Sequence, residues 1–434
     1  MSDPFPWQQF YPEGLNREFT PPDTHLWTYL QKHAETSPDS PAIFFNDLTI
    51  TYGQLWQRVR LAARTFRARG FARGKRSDRV LLVLPNCPEL VVQWYGALRA
   101  DMIAVAVSPD LTAEELQKVI REVEPRCCFV HHELSGIFEK ARVRARIRDP
   151  KVYYIEGGQD FHQTKYCEDM LNLLLVDPVD SEQRPDVDVA ALQYTSGTTG
   201  VTKIAMMSHR NLIANALQNN SWFGWNSQDV VLGALPLYHT WGMCCVMNAT
   251  LVAGASMVLL EDFSAVTTLN AIERHKVSIA YGSGTMFIRL LEAAGDTAAT
   301  RFASLRLAKA GAMLIDRSLN KRWSDTVPNV PMINGYGLTE AAPEVTNNPP
   351  ANVKVGTVGL PLPGTNIRLM QRDNPAQPAA EGQEGEIQIN GPQVMLGYWS
   401  EPEATCETLL EGGWLRTGDI GKFDGDGYLK IVDR

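Results

Sequence analysis

The stretch "YTSGTTGVTKIAMMSHRN", residues 194–211, is the most informative part of this sequence. Its first ten residues hold four threonines, one serine, two glycines and one lysine, and an apolar run follows them. Glycines allow backbone N–H groups to approach an anion, hydroxyl groups add neutral donors, and the lysine adds one positive charge. The composition is therefore compatible with a phosphate-binding loop, although most clusters of Gly, Thr and Ser are ordinary surface turns.

The spacing of these residues argues against two common phosphate loops. A P-loop has the pattern G-x-x-x-x-G-K-[ST], with the lysine directly after a glycine, whereas Thr202 precedes Lys203 here. The G-x-G-x-x-G pattern of dinucleotide-binding folds is also absent from this stretch. The segment "KIAMMS" predicts a strand directly after the loop, with a helix beginning only near residue 209. A P-loop nucleoside triphosphatase is therefore disfavoured.

The sequence around the loop alternates between short apolar runs and amphipathic segments. The runs at 79–85, 102–109 and 126–131 are typical of buried parallel strands. The segments 51–69 and 111–124 predict helices, each opening with a capping box. This order predicts an α/β fold of layered subdomains, with mostly parallel sheets flanked by helices.

The chain has 434 residues, which is long enough for several packed units. We expect a first α/β subdomain over about 1–185, ending in an irregular polar excursion at 143–188. A second α/β subdomain with the phosphate loop is expected over 186–345. Apolar and polar residues alternate between Gly and Pro turns after residue 351, so 346–434 is predicted to be a smaller β-rich subdomain.

Charge and composition limit the classes of partner. The formal net charge is −8 and no stretch is strongly basic, so we expect no nucleic-acid partner. The N-terminus has no signal-peptide pattern, and no run of about 18 apolar residues occurs, so no integral membrane segment is predicted. The seven cysteines show no C-x-x-C spacing and are interpreted as reduced core residues. A cytoplasmic location is the expectation.

The pattern "YTSGTTGVTK" closely resembles the phosphate loop of the adenylate-forming superfamily, which includes acyl-CoA synthetases, luciferases and peptide-synthetase adenylation domains. The usual form is [YF]-T-S-G-[ST]-T-G-x-P-K-G, from which Thr202 and Ile204 depart. Further matching segments follow in the family's order: "LPLYHTWG" (235–242), "KAGAML" (309–314), "NGYGLTEA" (334–341), "GEIQINGPQVMLGYW" (385–399) and "GGWLRTGDIGKFDGDGYLKIVDR" (412–434). The resemblance covers about residues 25–434, and the chain looks like the large N-terminal domain of an acyl-CoA ligase.

The resemblance implies a reaction in which a carboxylate attacks the α-phosphate of ATP, forms an acyl-adenylate and releases pyrophosphate. In the full-length protein, transfer of the acyl group to CoA would follow. Lys203, Thr339, Glu340 and His239 are implied as catalytic residues, with Thr339 at the α-phosphate and His239 beside the carboxylate of the acid. Glu340, helped by Thr195, would hold Mg²⁺, which prefers oxygen ligands.

The resemblance also implies a nucleotide site and an acid pocket. The residues implied for the phosphates are Thr195, Ser196, Gly197, Thr198, Thr199, Gly200 and Lys203. Those implied for the adenine are Gly311, Ala312, Met313, Asn334, Gly335, Tyr336 and Gly337, with Tyr336 stacking on the base, and those for the ribose are Asp419 and Arg434. The implied acid pocket consists of Tyr238, His239, Trp241, Gly242, Tyr281, Gly282, Ser283 and Gly284. Ala310 and Met313 depart from the family's usual adenine motif.

Members of the family continue beyond the position of Arg434 with a small, mobile C-terminal domain that carries a second catalytic lysine. The sequence in hand ends at Arg434. We therefore expect that it lacks this domain, binds ATP and acid, forms the adenylate slowly and fails at thioester formation.

Several functions stay open. A fatty or similarly apolar acid ligated to CoA is the leading interpretation, with an aryl acid as substrate or an acyl carrier protein as acceptor as alternatives. An amino-acid adenylation domain is less expected, because the segment 238–242 holds no aspartate to pair with a substrate ammonium. A non-catalytic ATP-binding protein belongs to a different class, and the presence of Lys203, Glu340, Asp419 and Arg434 argues against it.

Overall fold

A computed structural model describes residues 6–71, 78–147, 150–156, 181, 183–195, 202–311, 315, 317–374 and 376–433. The α-helices in these ranges are Trp27–Thr36, Tyr52–Ala68, Pro88–Arg99, Ala113–Val123, Ser135–Ala145, His209–Phe223, Ala249–Ala253, Ala265–His275, Gly284–Ala294, Ala298–Arg301, Arg317–Thr326 and Pro402–Thr408. The segment Trp241–Asn248 is π-helical. The strands are β1 Pro41–Phe45, β2 Leu48–Thr51, β3 Arg79–Val83, β4 Ile103–Ala106, β5 Cys127–His131, β6 Lys151–Ile155, β7 Val189–Tyr194, β8 Ile204–Ser208, β9 Val230–Gly233, β10 Ser256–Leu259, β11 Ile279–Ser283, β12 Leu307–Gly311, β13 Met332–Gly337, β14 Glu344–Asn347, β15 Leu360–Pro361, β16 Asn366–Met370, β17 Gly385–Asn390, β18 Gly397–Tyr398, β19 Leu409–Leu410, β20 Trp414–Phe423 and β21 Leu429–Asp433.

The first sheet has the strand order β18-β8-β7-β4-β3-β5-β6. Strands β7, β4, β3, β5 and β6 run parallel, and β8 returns antiparallel to β7. The inner strands β3, β4 and β5 are almost wholly buried, as expected for strands with helices on both faces. Tyr194 pairs with Ile204, so the predicted phosphate loop is the connection between β7 and β8.

A second sheet, with the order β15-β14-β13-β12-β11-β9-β10-β1-β2, carries the other predicted motifs. The strands β13, β12, β11, β9, β10 and β1 run parallel to one another, whereas β2, β14 and β15 pair antiparallel with their neighbours. A smaller sheet joins β16, β17, β20 and β19, with β21 paired to β20. The α/β fold and the smaller β-rich part are therefore as predicted.

Local sequence signals set the helix starts. Thr51 and Thr112 cap the helices Tyr52–Ala68 and Ala113–Val123, and Gln54 and Glu115 complete the two predicted capping boxes. One local prediction was wrong, because Lys151–Ile155 lies inside the excursion predicted to be irregular yet forms the edge strand β6. Its run of Val, Tyr, Tyr and Ile suits a strand, and the surrounding polar residues obscured that signal. Residues 157–180 of the excursion lie outside the described residues.

Each of the two large sheets includes strands from a part of the chain that was predicted to belong to the other. Strands β1 and β2, from residues 41–51, complete the sheet built mainly from 230–361. Strands β7 and β8, which the predicted division assigned to the second subdomain, extend the first sheet instead. Hydrogen bonding to β4 decides this, since Ala104 and Val105 pair with Ala191 and Leu192. The three-part division of the chain stays a prediction.

Among the helices that the structure describes, none combines the length and the apolar character needed to cross a bilayer.

His209 makes the stability of the fold depend on pH. Its ring is fully buried, and Nδ1 accepts the backbone N–H of Leu26 at 3.2 Å. Burial, reinforced by the neighbouring His25, lowers the pKa of His209 to about 3. An unfolded histidine titrates near pH 6.5, so between these values the unfolded chain binds a proton that the folded chain excludes.

We therefore expect the free energy of unfolding to fall as the pH drops below about 6.5, with a contribution from His209 of about 2 kcal/mol at pH 5. Urea unfolding at pH 7.5 and pH 5 measures it, and a His209→Gln variant should lose about this much of the difference. The exposed His132 provides the matched control, because His132→Gln should keep the wild-type pH dependence. An unchanged pH dependence in His209→Gln would contradict this account.

Candidate active site

The two ends of the predicted phosphate loop are held together by the backbone. The N–H of Thr195 donates to the carbonyl of Lys203 at 2.9 Å, and the N–H of Lys203 donates to Oγ1 of Thr195 at 3.2 Å. The hairpin β7–β8 fixes this neck at the edge of a buried sheet. The side chain of Lys203 is therefore presented from a rigid base.

Tyr398 connects two of the predicted catalytic residues. The ammonium of Lys203 lies 4.7 Å from the centroid of the Tyr398 ring, a distance suited to a cation–π contact. The hydroxyl of Tyr398 donates to Oε1 of Glu340 at 2.8 Å. Burial and the Glu340 carboxylate together raise the pKa of Tyr398, so this hydroxyl keeps its proton at neutral pH. A cation and a carboxylate that are 137 residues apart in the sequence are thus brought together.

The β18–β8 pairing explains how Tyr398 reaches this place. Tyr398 pairs with Ala205, two residues after Lys203. The backbone N–H of Met395 donates to the carbonyl of Glu340 at 2.8 Å, which ties the same segment to the short helical turn that carries the glutamate. Segments from both large sheets therefore meet at this point.

A second pair of predicted residues meets at the β-rich part. The hydroxyl of Tyr336, on β13, donates to Oδ2 of Asp419, on β20, at 2.6 Å. Asp419 is almost fully buried, and its backbone N–H donates to Oγ1 of Thr417. The residues implied for the adenine and for the ribose are therefore in direct contact across two sheets.

The adenine-site residues lie on neighbouring parallel strands. Asn334 on β13 pairs with Ala310 on β12, and its Nδ2 donates to the carbonyl of Ala310 at 3.1 Å. Gly311 ends β12, where a Cβ atom would lie 2.8 Å from two ring carbons of Trp241. Only glycine leaves room for this indole, which links the adenine side to the acid side of the site.

The segment predicted for the acid forms a turn followed by the π-helix. His239 is more than a third exposed, and its ring packs against Tyr238 with centroids 4.8 Å apart. Partial burial of the ring lowers the pKa of His239, so the imidazole is neutral at pH 7. Trp241 is partly buried beside the fully buried Tyr281, with ring centroids 6.1 Å apart. The histidine thus contacts Tyr238, and Trp241, two positions further along the chain, contacts Tyr281.

The remaining predicted pocket residues are glycines and a helix cap. Gly242 and Gly282 are buried, and Gly284 begins the helix Gly284–Ala294. The side chain of Ser283 accepts the N–H of Met286 and caps this helix. Gly335, Gly337 and Thr339 lie along β13 and the turn that follows it. The predicted residues Ser196, Gly197, Thr198, Thr199, Gly200, Ala312, Met313 and Arg434 lie outside the described residues.

The profile of the AMP-binding enzyme family matches residues 30–399. The chain belongs to the AMP-binding enzyme family. The long-chain-fatty-acid–CoA ligase of Bacillus subtilis (strain 168) is 31% identical over 470 residues, covering 100% of this chain and 81% of that protein. The 4-coumarate–CoA ligase 3 of Oryza sativa subsp. japonica is 32% identical over 395 residues, covering 88% and 69%. The ATP-bound structure of MatB from Rhodopseudomonas palustris superposes with a TM-score of 0.83 at 27% identity, covering 95% of this chain and 79% of that one.

The predicted family and fold are thereby confirmed. The predicted enzyme class, an AMP-forming acid–thiol ligase, is supported in the same way. The roles of individual residues in this AMP-binding enzyme stay predictions, to which the contacts described above give geometric support.

Three residues of this AMP-binding enzyme with contacts near the site were not predicted from the sequence: Tyr398, Lys309 and Glu344. Tyr398 lies in a matched segment, but nothing in the segment indicated contact with Lys203 and Glu340. Lys309 and Glu344 form an ion pair with an N–O distance of 3.4 Å, and both side chains are buried. A lysine in the small apolar run "LAKAG" was a visible signal, yet its partner lies 35 positions away at no recognisable spacing.

Proposed function

We propose that this AMP-binding enzyme activates a fatty or similarly apolar carboxylic acid with ATP, and that transfer of the acyl group to CoA follows in the full-length protein. The main support is the contact that Lys203 and Glu340 share with Tyr398. It gathers a positive charge and a carboxylate beside the neck of the predicted phosphate loop. A lysine and a carboxylate that could hold Mg²⁺ suit a reaction between the carboxylate of the acid and the triphosphate of ATP, because both reactants are negatively charged.

The first step forms a bond between a carboxylate oxygen of the acid and the α-phosphorus of ATP, and it breaks the bond from that phosphorus to the pyrophosphate oxygen. The main obstacle is repulsion between the carboxylate and the triphosphate, so positioning and charge neutralisation should dominate catalysis. Lys203 would neutralise charge on the phosphates, and Thr339 would donate to the α-phosphate. The neutral imidazole of His239 would orient the acid without pairing with its charge.

The residues proposed for Mg²⁺ fit an ion with a preference for oxygen. Glu340 is partly exposed and its Oε1 is already oriented by Tyr398, while Thr195 offers a hydroxyl oxygen at the loop neck. When bound, the ion would neutralise charge on the phosphates. Asp419 and Tyr336 would bind the ribose and the adenine, respectively.

Two aromatic side chains support an apolar acid, since Trp241, two positions after His239 in the chain, is in ring contact with Tyr281. The name of the Bacillus subtilis relative points to a long-chain fatty acid. Flat aromatic walls suit an aryl acid as well, and the rice relative is named for 4-coumarate. An aryl acid is therefore the second candidate. An acyl carrier protein as acceptor, a separate C-terminal domain and a cytoplasmic location stay predictions.

ATP–pyrophosphate exchange with the purified protein tests this proposal. The panel comprises octanoate, palmitate, benzoate, cinnamate and several amino acids, and CoA-ester detection with the acids that respond uses the full-length protein. We expect exchange with the fatty or aryl acids and none with the amino acids. ATP binding without exchange on any acid would favour a non-catalytic ATP-binding protein, and hydrolysis to ADP would exclude an AMP-forming enzyme.

Tyr398→Phe should weaken magnesium-dependent catalysis. The substitution removes the hydroxyl that orients Glu340 but keeps the ring below Lys203. A hydrogen bond to a charged group contributes about 1.5–3 kcal/mol, so we expect the exchange rate at limiting Mg²⁺ to fall by about ten- to a hundredfold. Titrating Mg²⁺ in the exchange assay measures this effect.

Tyr154→Phe is the control for this substitution, because Tyr154 lies on the distant edge strand β6 and its hydroxyl donates to Glu139 of the helix Ser135–Ala145. That variant should behave as wild type in the Mg²⁺ titration. A wild-type titration curve for Tyr398→Phe would show that the hydroxyl has no part in positioning Glu340.

A further inference from the structure

A buried ion pair lies behind the aromatic wall of the acid pocket. The ammonium of Lys309 and Oε1 of Glu344 are 3.4 Å apart, and their side chains are only 2% and 5% exposed. Removing two charges from water is costly, and apolar replacements of such pairs are often at least as stable. Stability alone is therefore a weak reason for this pair, and a role in binding is worth testing.

Both oxygens of the Glu344 carboxylate already accept hydrogen bonds. Its Oε1 accepts the indole N–H of Trp241 at 3.3 Å, and its Oε2 accepts Nδ2 of Asn347 at 2.6 Å. With the contact from Lys309, three neighbouring groups face this carboxylate. Glu344 therefore holds its neighbours in place and has little capacity for a further donor.

Lys309 and Asn347 have unused hydrogen-bonding capacity. Among the described residues, the ammonium of Lys309 contacts one acidic group, Glu344, although it has three N–H donors. Oδ1 of Asn347 is buried and accepts no hydrogen bond from the described part of the chain. Both atoms pack beside Gly335, where a Cβ would lie 2.4 Å from Nζ and 2.1 Å from Oδ1. A surplus donor and an unsatisfied acceptor are therefore close neighbours.

These groups adjoin the side chains proposed to line the acid pocket. Lys309 on β12 is paired in register with Tyr281 on β11, so their side chains point to the same face of the sheet. Trp241 contacts Tyr281 through its ring and Glu344 through its N–H. A tail that extends past Trp241 would reach the buried polar groups next.

The charge balance restricts what such a tail can carry. The charges of Lys309 and Glu344 cancel, so a carboxylate or an ammonium on the tail would bring an uncompensated charge into a buried site. A carbonyl oxygen could accept from Lys309 but could not satisfy Asn347. A hydroxyl can do both, because it accepts from the ammonium and donates to Oδ1.

We propose that the acid activated by this enzyme carries a hydroxyl group on its apolar tail, and that Lys309 and Asn347 bind this hydroxyl. The inference rests on the proposed function, since it refines the substrate of the same adenylation site. Glu344 acts as the positioning residue that keeps both partners oriented.

Pairs of acids that differ by one hydroxyl test this inference in the ATP–pyrophosphate exchange assay. Suitable pairs are butyrate with 4-hydroxybutyrate, hexanoate with 6-hydroxyhexanoate, octanoate with 8-hydroxyoctanoate, and cinnamate with 4-hydroxycinnamate. For at least one pair we expect kcat/KM of the wild-type protein to be about 10- to 100-fold higher with the hydroxylated acid. In Lys309→Met this preference should fall to threefold or less.

Two further variants separate recognition from folding. Lys309→Met combined with Glu344→Leu removes both charges together, so no buried charge is left unpaired, and it should show the same loss of preference. Arg306→Gln breaks another ion pair, to Asp229 at 2.7 Å, whose two residues lie directly before the strands β12 and β9. That control should lower the melting temperature and leave the ratio between paired acids unchanged.

The possible results are distinct. A preference for the unsubstituted acid in every pair, or a hydroxyl preference that persists in the Lys309 variants, would overturn the inference while leaving adenylation intact. Exchange with none of the acids would overturn the proposed function itself, and the inference with it. A hydroxyl preference lost in both Lys309 variants but kept in Arg306→Gln would support it.

Discussion

Replacing Lys203 by methionine is expected to lower ATP–pyrophosphate exchange by at least about a hundredfold. Methionine keeps most of the length of the side chain but removes the positive charge next to the predicted phosphate loop. The backbone contacts between Thr195 and Lys203 do not involve this side chain, so the neck of the loop should survive. The loss should therefore fall on catalysis and leave the melting temperature nearly unchanged.

Two further variants, Lys203→Arg and Lys321→Met, test whether the loss comes from the charge at position 203. Arginine restores the charge with a different shape, so partial activity is expected if charge neutralisation is the main role. Lys321 is 75% exposed and pairs with Asp325 on a surface helix, so its replacement should have no effect on exchange. Exchange by Lys203→Met within threefold of wild type would remove this lysine from the proposed mechanism.

Replacing Asp419 by asparagine should raise the KM for ATP by about 30-fold or more. The buried carboxylate is proposed to accept hydrogen bonds from the ribose hydroxyls, and bonds to a charged group are worth about 1.5–3 kcal/mol each. The substitution also weakens the bond from the Tyr336 hydroxyl, which is 2.6 Å long. Both effects act on nucleotide binding, so kcat should change less than KM.

Deoxynucleotides distinguish these two effects. The wild-type protein should bind 2′-deoxy-ATP or 3′-deoxy-ATP more weakly than ATP, and Asp419→Asn should discriminate less between them. Tyr336→Phe removes the other hydrogen bond alone and should keep the discrimination. Asp325→Asn, at an exposed surface position, is the neutral control. Equal discrimination by wild type and Asp419→Asn would mean that Asp419 does not contact the ribose.

Much of the fold follows from short-range signals. The capping residues Thr51 and Thr112 are followed at the required spacing by Gln54 and Glu115, and both helices begin where the sequence predicted. Continuous apolar runs became buried parallel strands because such strands are covered on both faces. Strand Lys151–Ile155 was missed because an edge strand needs only a brief apolar run, which polar neighbours concealed.

The active site was predictable in part for a different reason. Motifs such as "NGYGLTEA" keep their functional groups within a few residues, so a resemblance can identify them without a structure. The contacts between different motifs could not be predicted in this way. Tyr398 meets Lys203 and Glu340 because β18 pairs with β8, and strand pairing between distant segments leaves no fixed spacing in the sequence.

The family, the alternation of strands and helices, and the residue types available for adenylation all follow from the order of the amino acids. Which segments share a sheet depends on the three-dimensional packing, since β1 and β2 join strands more than 170 residues further along the chain. The same packing brings Lys309, Glu344 and Asn347 together behind Trp241. Local signals arise between residues that are close in the chain. A buried charge is costly to leave unpaired, and its partner can come from any segment that packs against it.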